Sequence, residues 1–233
     1  MYLEENIHKL FDKIAKRYDF TTFCLSLGLD KKWRKTLSNY IPQHPSLNLL
    51  DIGTGTAEQL ITIANAKSNI RLVGIDTSSK MLNIGKKKIQ EKGLTNKITL
   101  IKSYCNDIPF PNQTFDYITM SFVLRNIINN FEDTLKEAIR LLKPNGKILI
   151  LEFSKPSSPL IENLYEIYAK YLIPILGGIL SGNTVAYKYL YQSIKKLTAE
   201  KDLEKLFDNL NIKNVKKFPM NGGITTLYDI SCN

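Results

Sequence analysis

Short apolar runs alternate with longer segments of helical periodicity along most of the chain. The runs are rich in Leu, Ile, Val and Phe, as buried strands are, and the segments between them repeat apolar residues at helical spacing. Strands are predicted over residues 48–52, 71–75, 98–102, 115–120 and 147–153, and helices over residues 56–66, 79–91 and 130–142. This alternation predicts an α/β fold with a mainly parallel sheet and flanking helices.

The C-terminal part continues the pattern with one helix and two strands. The helix is predicted over residues 199–210 and the strands over residues 214–218 and 224–231, joined through Asn221-Gly222-Gly223. Strands this close in sequence can form a hairpin, so one of them is expected to run antiparallel. Earlier in the chain, Lys143-Pro144-Asn145-Gly146 predicts a turn between a helix and a strand. The predicted sheet therefore has seven strands, with one antiparallel strand near the C-terminus.

Two segments lie outside this alternation. Residues 1–46 look helical, with apolar residues at helical spacing between Phe11 and Tyr18, and residues 157–197 are rich in Tyr, Leu and Ile. We expect both to form helical lids over one end of the sheet. The chain shows no internal repeat or low-complexity tract, so residues 1–233 are predicted to be a single domain with these two elaborations.

A glycine-rich turn follows the first predicted strand. Gly53 and Gly55 stand where the strand gives way to a helix, and glycine there lets the backbone turn sharply and approach a ligand. Asp76 ends the next strand, 21 residues after Gly55. That offset matches the one at which an acid binds a ribose diol. Strand, turn, helix and acid in this order predict a binding site for a cofactor.

The chemistry of this turn disfavours a nicotinamide dinucleotide. The G-x-G-x-x-G pattern requires glycine at position 58, where Glu58 stands, and a carboxylate at a helix N-terminus would repel a pyrophosphate. S-adenosylmethionine has no phosphate, and its sulfonium and amino groups are cationic. Asp51, beside the turn, suits such a cation; the alternative is that Asp51 only forms the turn at the strand end.

The run from Asp51 to Ala57 resembles the first motif of class I S-adenosylmethionine methyltransferases, with Ala57 in place of a third glycine. Residues 107–116 are similar to the loop and fourth strand of that class, and residues 141–147 to its turn into the fifth. The resemblance implies a Rossmann-like fold, a site without metal, and S-adenosylmethionine as cofactor. The cofactor-binding residues that it implies, with Asp76 on the ribose and Tyr104 and Cys105 at the adenine edge, are Tyr18, Asp51, Gly53, Gly55, Thr56, Asp76, Met81, Tyr104, Cys105 and Ser121. Tyr104 is a departure, since many relatives carry Asp or Asn there.

Four further stretches resemble the menaquinone/ubiquinone biosynthesis C-methyltransferases, at matching positions over nearly the whole chain. They cover residues 11–19, 121–126, 151–156 and 187–194, and Leu124-Arg125-Asn126 is among their most specific parts. The resemblance implies methyl transfer to a ring carbon of a prenylated quinol. The compact length of the chain favours the conversion of demethylmenaquinol to menaquinol, with a ubiquinone precursor as the alternative acceptor. Two departures, Thr22 and Asp30, are expected to affect substrate contacts.

Arg125 and Asn126 are the predicted catalytic residues. They follow the fourth predicted strand directly, at the carboxyl end of the sheet where open α/β folds bind ligands. There Arg125 would stabilise a phenolate, and Arg125→Ala would lower turnover without changing the melting temperature. The alternative is that Arg125 pairs with an acid and holds the loop in place. No general base is assigned, because neither His8 nor His44 is a convincing one.

Composition adds a location and a possible partner to this picture. From the early acidic residues and the lack of an apolar run at the N-terminus we expect no signal peptide, and three cysteines without metal-like spacing suit a reducing cytoplasm. The net charge of +10 fits a solvated basic surface, and it would also favour transient contact with anionic lipid at the inner face of the membrane. A homo-oligomer is left open.

The basic charge also makes a nucleic-acid methyltransferase, acting on RNA, the main alternative function. Methylases of exocyclic amines usually place Asn/Asp-Pro-Pro-aromatic after the fourth strand, where this chain has Ser121-Phe122-Val123-Leu124. Methylases that act on C5 of pyrimidines need a nucleophilic cysteine, and none of the three has such a context. We therefore expect no nucleic acid as partner. A second alternative, a protein that binds the cofactor without turnover, conflicts with the intact glycine turn and Asp76.

Overall fold

All seven predicted strands are present in the structure, a computed structural model that describes residues 7–44, 46–199, 207–210 and 212–232. The strands are β1 Leu47–Ile52, β2 Ile70–Asp76, β3 Ile98–Lys102, β4 Phe115–Ser121, β5 Leu142–Phe153, β6 Asn214–Met220 and β7 Thr225–Ser231. They form one sheet in the order β3-β2-β1-β4-β5-β7-β6. Strands β1 to β5 pair in parallel, whereas β7 is antiparallel to both β5 and β6. The predicted fold class is confirmed.

Helices cover both faces of the sheet and build the two elaborations. They are α1 Ile7–Ile14, α2 Tyr18–Leu25, α3 Leu29–Asn39, α4 Glu58–Ala66, α5 Ser79–Glu91, α6 Phe131–Leu141, α7 Pro159–Ile167, α8 Ile173–Ser181 and α9 Thr184–Ala199. A π-helical turn, Tyr168–Leu172, joins α7 to α8. Of the helix predicted over 199–210, residues 207–209 are helical, and residues 200–206 lie outside the described residues. None of the described helices is both long and apolar enough to cross a bilayer.

The central strands are buried on both faces, which is why their sequences read as continuous apolar runs. Because successive side chains point to opposite faces, neighbouring leucines serve different cores. Leu49 belongs to the core under α3, α4 and α5, whereas Leu50 belongs to the core under α6. Both side chains are fully buried. This two-sided burial fixes the register of the sheet and therefore the height at which its carboxyl ends stop.

A third core packs the two elaborations against each other. It joins Leu10 of α1 and Leu25 of α2 to Ile173 of α8 and Tyr187 of α9, and it also includes Met81 at the start of α5. The N-terminal helices and the 157–197 insertion therefore lie side by side, next to the loops that follow β1 and β2. That the whole chain is one domain stays a prediction.

Two local predictions are wrong. Residues 143–146 form no separate turn before the strand, because β5 already begins at Leu142, opposite Phe115, and takes up these residues as an irregularity of the ladder. Helix α4 begins at Glu58 rather than at residue 56, because Ala57 has a left-handed backbone with φ of +65°. Ala57 stands where the resembled motif has a third glycine, and its left-handed backbone shows that glycine would also suit this position.

Candidate active site

The carboxyl ends of the five parallel strands meet at one edge of the sheet, and two cavities open there. In open α/β sheets, ligands bind at this edge where the strand order reverses, which here is between β1 and β4. One cavity, of about 250 Å³, lies at the glycine turn and is called the cofactor cavity below. The other, of about 370 Å³, lies beneath the elaborations and is called the apolar cavity. Phe11 and Tyr18 line both and so form the partition between them.

The glycine turn after β1 has the backbone that only glycine adopts readily. Gly53 has φ of +69° and Gly55 has φ of +54°. A Cβ atom on Gly53 would overlap the side chain of Val123, whereas one on Gly55 would meet nothing within 4 Å. Gly53 thus allows close packing of the turn on the loop after β4, and Gly55 lines the open cofactor cavity.

Asp76 is held at the wall of the cofactor cavity by backbone donors. One carboxylate oxygen accepts a hydrogen bond from the Gly55 N–H at 2.8 Å, and the other accepts one from the Ser78 N–H at 2.8 Å. Burial raises the pKa of Asp76 above its usual range, and these bonds act in the opposite direction. Each oxygen keeps lone-pair capacity, so the carboxylate can still accept from a ribose diol.

Four other predicted cofactor residues line the same cavity: Tyr18, Met81, Tyr104 and Cys105. Met81 is buried, whereas Tyr104 is 66% exposed at the rim, where its ring is free to cover a bound base. The Cys105 sulfur accepts a hydrogen bond from the Thr134 hydroxyl at 3.2 Å. The structure therefore brings these residues together with Gly53, Gly55 and Asp76.

Three predicted cofactor residues do not line this cavity: Asp51, Thr56 and Ser121. The Asp51 carboxylate accepts from the Thr119 hydroxyl at 2.6 Å, the Thr56 hydroxyl donates to Asp19 at 2.6 Å, and the Ser121 hydroxyl donates to the Gln59 side chain at 3.1 Å. Each side chain is held by a neighbouring element instead of facing the cavity. Direct cofactor contact by these three stays a prediction without support from the geometry.

Burial also changes the chemistry of Asp51. Its side chain is 1% exposed, and this burial raises its pKa from 3.8 to about 6, against the effect of the bond from Thr119. A carboxyl group with this pKa is charged at neutral pH only at a cost in stability. The positive charge of Arg34 lowers the pKa of Asp51, but burial has the larger effect.

Most residues that line the apolar cavity are aliphatic or aromatic. Most come from α1 to α3, from the loop after β4 and from the insertion, and Phe153 and Ile224 are also among them. Thr22 and Asp30, the two departures from the family pattern, also line it, as expected for residues that affect substrate contacts. A cavity of this kind suits a large, mainly apolar ligand.

Arg125, which follows β4, contributes a deeply buried cation to the wall of this cavity. Its Nη1 lies 3.2 Å from Oε1 of Glu152, whose other oxygen accepts from the Arg125 backbone N–H at 3.3 Å. Nη1 also donates to the Phe122 carbonyl oxygen. Within the described part of the chain, the buried Nε of Arg125 has no hydrogen-bond partner. Arg125 therefore pairs with an acid, as the alternative interpretation held, and still has one donor that a ligand could satisfy.

Two tyrosines of the insertion add hydroxyl groups to the wall of the apolar cavity. The Tyr165 hydroxyl lines the apolar cavity and has no partner among the described residues. Burial raises the pKa of Tyr165, so its hydroxyl stays protonated, and the charges of Arg125 and Glu152 both act on it. The Tyr189 hydroxyl donates to Asn126 at 3.1 Å. Asn126 itself lines the cofactor cavity, although it follows Arg125 directly.

Sequence reasoning missed several residues of the site. Asp12 accepts from the Ser78 hydroxyl at 2.5 Å, and Asp19 accepts from the Thr56 hydroxyl at 2.6 Å and from Lys88 of α5 at 2.9 Å, so both tie the N-terminal helices to the cofactor loops. Their separation of seven residues, two helical turns, was a usable signal. His8 also lines the cofactor cavity. Glu152 lies in the stretch 151–156 that resembles the family, but sequence reasoning assigned it no role.

The cofactor cavity fits S-adenosylmethionine better than a phosphate-bearing cofactor. Asp76 is the one acid among the described residues that line it, and no lysine or arginine of that set does. A pyrophosphate would need donors or cations at this turn, whereas a sulfonium compound needs none. Gly53 and Gly55 would hold its methionine end, Asp76 its ribose, and Tyr104 with Met81 its base.

Comparisons with known proteins agree with this geometry. Residues 2–230 match the model of the ubiE/COQ5 methyltransferase family. Over 225 residues the chain is 36% identical to the ubiquinone/menaquinone biosynthesis C-methyltransferase UbiE of Geotalea daltonii. The alignment covers 96% of this chain and 95% of the relative. It is 33% identical over 224 residues to the demethylmenaquinone methyltransferase of Bacteroides fragilis, covering 96% and 91%.

Solved structures show the same fold at lower sequence identity. A SAM-dependent methyltransferase from Aquifex aeolicus superposes with a TM-score of 0.59 at 17% identity, covering 99% of each chain. The predicted family is confirmed, and with it the enzyme class, a methyltransferase that uses S-adenosylmethionine. The chain belongs to the ubiE/COQ5 methyltransferase family.

Proposed function

We propose that this protein transfers a methyl group from S-adenosylmethionine to a ring carbon of a prenylated quinol, converting demethylmenaquinol to menaquinol. The observation that carries the proposal is the pair of adjoining cavities, one at the glycine turn and one apolar, with Arg125 and Asn126 on opposite sides of the partition. The names of both relatives described above include menaquinone, which supports this acceptor.

The apolar cavity would hold the ring and the first part of its tail. S-adenosylmethionine, when bound, supplies an electrophilic methyl group. A quinol hydroxyl has a pKa near ~10 and must lose its proton before the neighbouring ring carbon becomes nucleophilic. A guanidinium beside that oxygen favours its anionic form. The Arg125 Nε would be this donor and the Tyr165 hydroxyl would bind the ring as a neutral donor, because both residues line the apolar cavity and both atoms are buried without a partner among the described residues.

Water exclusion strengthens both interactions. Because the walls are apolar, charge developing on the ring oxygen meets Arg125 in a low dielectric. Asn126, held by the Tyr189 hydroxyl, links the two sides of the partition and would keep the acceptor ring aligned with the cofactor cavity. Glu152 orients Arg125 and keeps its charge compensated while no acceptor is bound.

The acceptor also suggests where the protein works. A prenylated quinol lives in the bilayer, so we infer a transient, peripheral contact with the inner face of the membrane, helped by the net charge of +10. The comparisons give no support to the alternative of an RNA methyltransferase.

The test is incubation with isotope-labelled S-adenosylmethionine and three acceptors in parallel: demethylmenaquinol, the demethylated ubiquinol precursor, and total RNA. Mass spectrometry of the lipid extract should find one added methyl group on the menaquinol ring. Label on the ubiquinol precursor alone would move the acceptor to the other branch. Label in RNA and none in lipid would refute the proposal.

A further inference from the structure

Large apolar side chains that are exposed to solvent concentrate on one side of the molecule. Of 13 such residues in the described chain, nine lie between Leu160 and Val185 and three lie between Phe20 and Leu27. The two groups adjoin, because Arg17 donates to the Leu180 carbonyl oxygen at 3.3 Å and the Tyr168 hydroxyl donates to the Leu25 carbonyl oxygen. We call these exposed side chains the apolar face. Single exposed apolar residues are ordinary, but a contiguous group marks a contact surface.

The exposed apolar side chains repeat at helical spacing, so they lie on one side of an ordered helix. Leu172, the last residue of the π-helical turn, and Ile175, Leu176 and Ile179 of α8 are spaced so that they form one stripe, and all four are exposed. The opposite side of α8 is buried on Gly177, where a Cβ atom would overlap the Tyr187 ring. Helix α8 is thus apolar on the side that packs on the protein and on the side that does not.

The mouth of the apolar cavity opens on this face. Leu27 and Leu164 line the cavity and are nevertheless 83% and 61% exposed. A ligand in the cavity can therefore extend outward between apolar side chains without crossing a polar rim at these positions. For a ligand with a long hydrocarbon tail, the tail would leave the protein through the apolar face.

The charges around this face suit an anionic surface. Lys31 lies over the exposed Phe23 ring at 4.6 Å, and Lys170 lies over Tyr171 at 5.0 Å. Helix α7 carries two acids, and each is engaged by a lysine: Lys155 lies 3.0 Å from Glu162, and Lys195 lies 3.6 Å from Glu166. Apolar side chains with cations beside them are the composition of helices that lie in the lipid interface.

From this arrangement we propose that the apolar face docks on an anionic lipid bilayer, with the cavity mouth turned toward the lipid. The inference rests on the proposed function for the nature of the tail, but it adds the surface, the orientation and the route of entry. The acceptor ring would enter the cavity while its tail stays in the membrane, so the protein need not extract the whole molecule.

The test compares three forms of the full chain by flotation with vesicles. The wild type is set against Ile175→Glu/Ile179→Glu, two exposed residues that do not line either cavity, and against Asn83→Glu/Gln90→Glu, which adds the same charge at exposed positions of α5. Vesicles are phosphatidylcholine alone or mixed one to one with phosphatidylglycerol. The wild type should float with the mixed vesicles, and the α8 variant should bind them about tenfold or more weakly. The α5 variant should stay close to wild type. Equal loss in both variants would show that net charge alone drives binding and would overturn the inference.

Methyl transfer separates this inference from the proposed function. The α8 variant should methylate a tail-less quinol at the wild-type rate, but long-tailed quinol embedded in vesicles about tenfold more slowly. If the wild type methylates neither acceptor, the proposed function fails. If it methylates both and the α8 variant binds vesicles normally, the function stands and the docking face is wrong. A wild-type dimer in sedimentation velocity that the α8 substitutions dissociate, without vesicle binding, would assign the face to a second copy of the chain.

Discussion

The ion pair between Arg125 and Glu152 allows the sharpest test of how the site is built. The Arg125 side chain is 4% exposed and the Glu152 side chain 1%, so neither charge can be solvated when its partner is removed. From the sequence alone, Arg125→Ala was expected to leave the melting temperature unchanged. The buried pair reverses that expectation.

The size of the effect follows from desolvation. Breaking a buried pair by removing one partner typically costs about 3–5 kcal/mol, because the other charge stays buried and uncompensated. Arg125→Ala and Glu152→Gln should each lose about this much. The double variant removes both charges, so it should lose less than the sum, by about 3 kcal/mol. For a domain with a typical stability of about 5–15 kcal/mol, this difference is large.

The assay has two parts, urea denaturation of the four proteins in the cycle and turnover of the folded ones. If Arg125 also stabilises the developing phenolate, the double variant should fold and still turn over about 10²–10³ times more slowly. Its affinity for S-adenosylmethionine should stay the same, since Arg125 lines the apolar cavity and not the cofactor cavity. Arg125→Lys should restore little, because the planar set of donors is lost.

Either part can refute the reasoning. Single variants as stable as wild type would mean that the pair is not buried as described. A stable double variant with wild-type turnover would mean that Arg125 only orders the loop after β4 and that the ring oxygens are bound by other groups.

Three other residues give independent predictions. Asp76→Ala should weaken S-adenosylmethionine binding by about 1.5–3 kcal/mol, and unchanged affinity in calorimetry would place the ribose elsewhere. Because burial raises the pKa of Asp51, the folded state loses stability as the pH rises from about 4 through 6. Asp51→Asn removes this loss, so it should stabilise the free protein by about 1 kcal/mol more at pH 8 than at pH 5. A pH-independent difference in urea denaturation would contradict that burial. Tyr165→Phe should leave stability unchanged or higher, because the buried Tyr165 hydroxyl has no partner in the described chain. The same substitution should raise the KM for quinol, and an unchanged KM would remove Tyr165 from the acceptor site.

The fold was predictable because each of its elements has a local signal. The strand that contains Leu49 and Leu50 is buried on both faces, so its sequence is a largely apolar run. Such a run is shorter than a helix and is bounded by turn residues, which distinguishes the two kinds of element. The exceptions are places where tertiary pairing overrides a local signal. Residues 143–146 have strong turn chemistry, yet Leu142 pairs with Phe115 and the ladder takes up the irregularity.

The cofactor site was predictable for the part that is contiguous in sequence. Gly53, Gly55 and Asp76 sit at strand ends, so parallel pairing of β1 and β2 alone brings them together. Asp51 is the penultimate residue of β1 and Ser121 the last of β4, but their side chains turn to Thr119 and Gln59 rather than to the cavity. Which way a side chain at a strand end turns depends on its neighbours in space, and one sequence does not contain that information.

The acceptor side of the site was harder to predict because it is assembled by packing. Tyr165 of α7 lines the same cavity as Arg125 although the two are far apart in sequence, and Glu152 becomes the partner of Arg125 only because β4 and β5 are neighbours in the sheet. No spacing rule connects residues that meet this way. The acid Glu152 in the motif of residues 151–156 was nevertheless a usable signal, since an arginine that is buried requires a counter-charge.

Phe122 explains how two consecutive residues come to serve two cavities. It follows β4 with φ of +60°, a left-handed backbone that a bulky side chain adopts only at a cost of roughly 1–3 kcal/mol. The Phe122 N–H donates to the Leu151 carbonyl oxygen at 2.8 Å, and its ring packs 5.1 Å from Phe153 and 5.8 Å from Trp33, so the ladder and the aromatic contacts offset that cost. The reversal turns the chain into the tight helical turn Leu124–Asn126, from which Arg125 faces the apolar cavity and Asn126 the cofactor cavity. We therefore expect the strained residue to set the alignment between acceptor and methyl donor, held in place by the rings of Trp33 and Phe153, which line the apolar cavity with it.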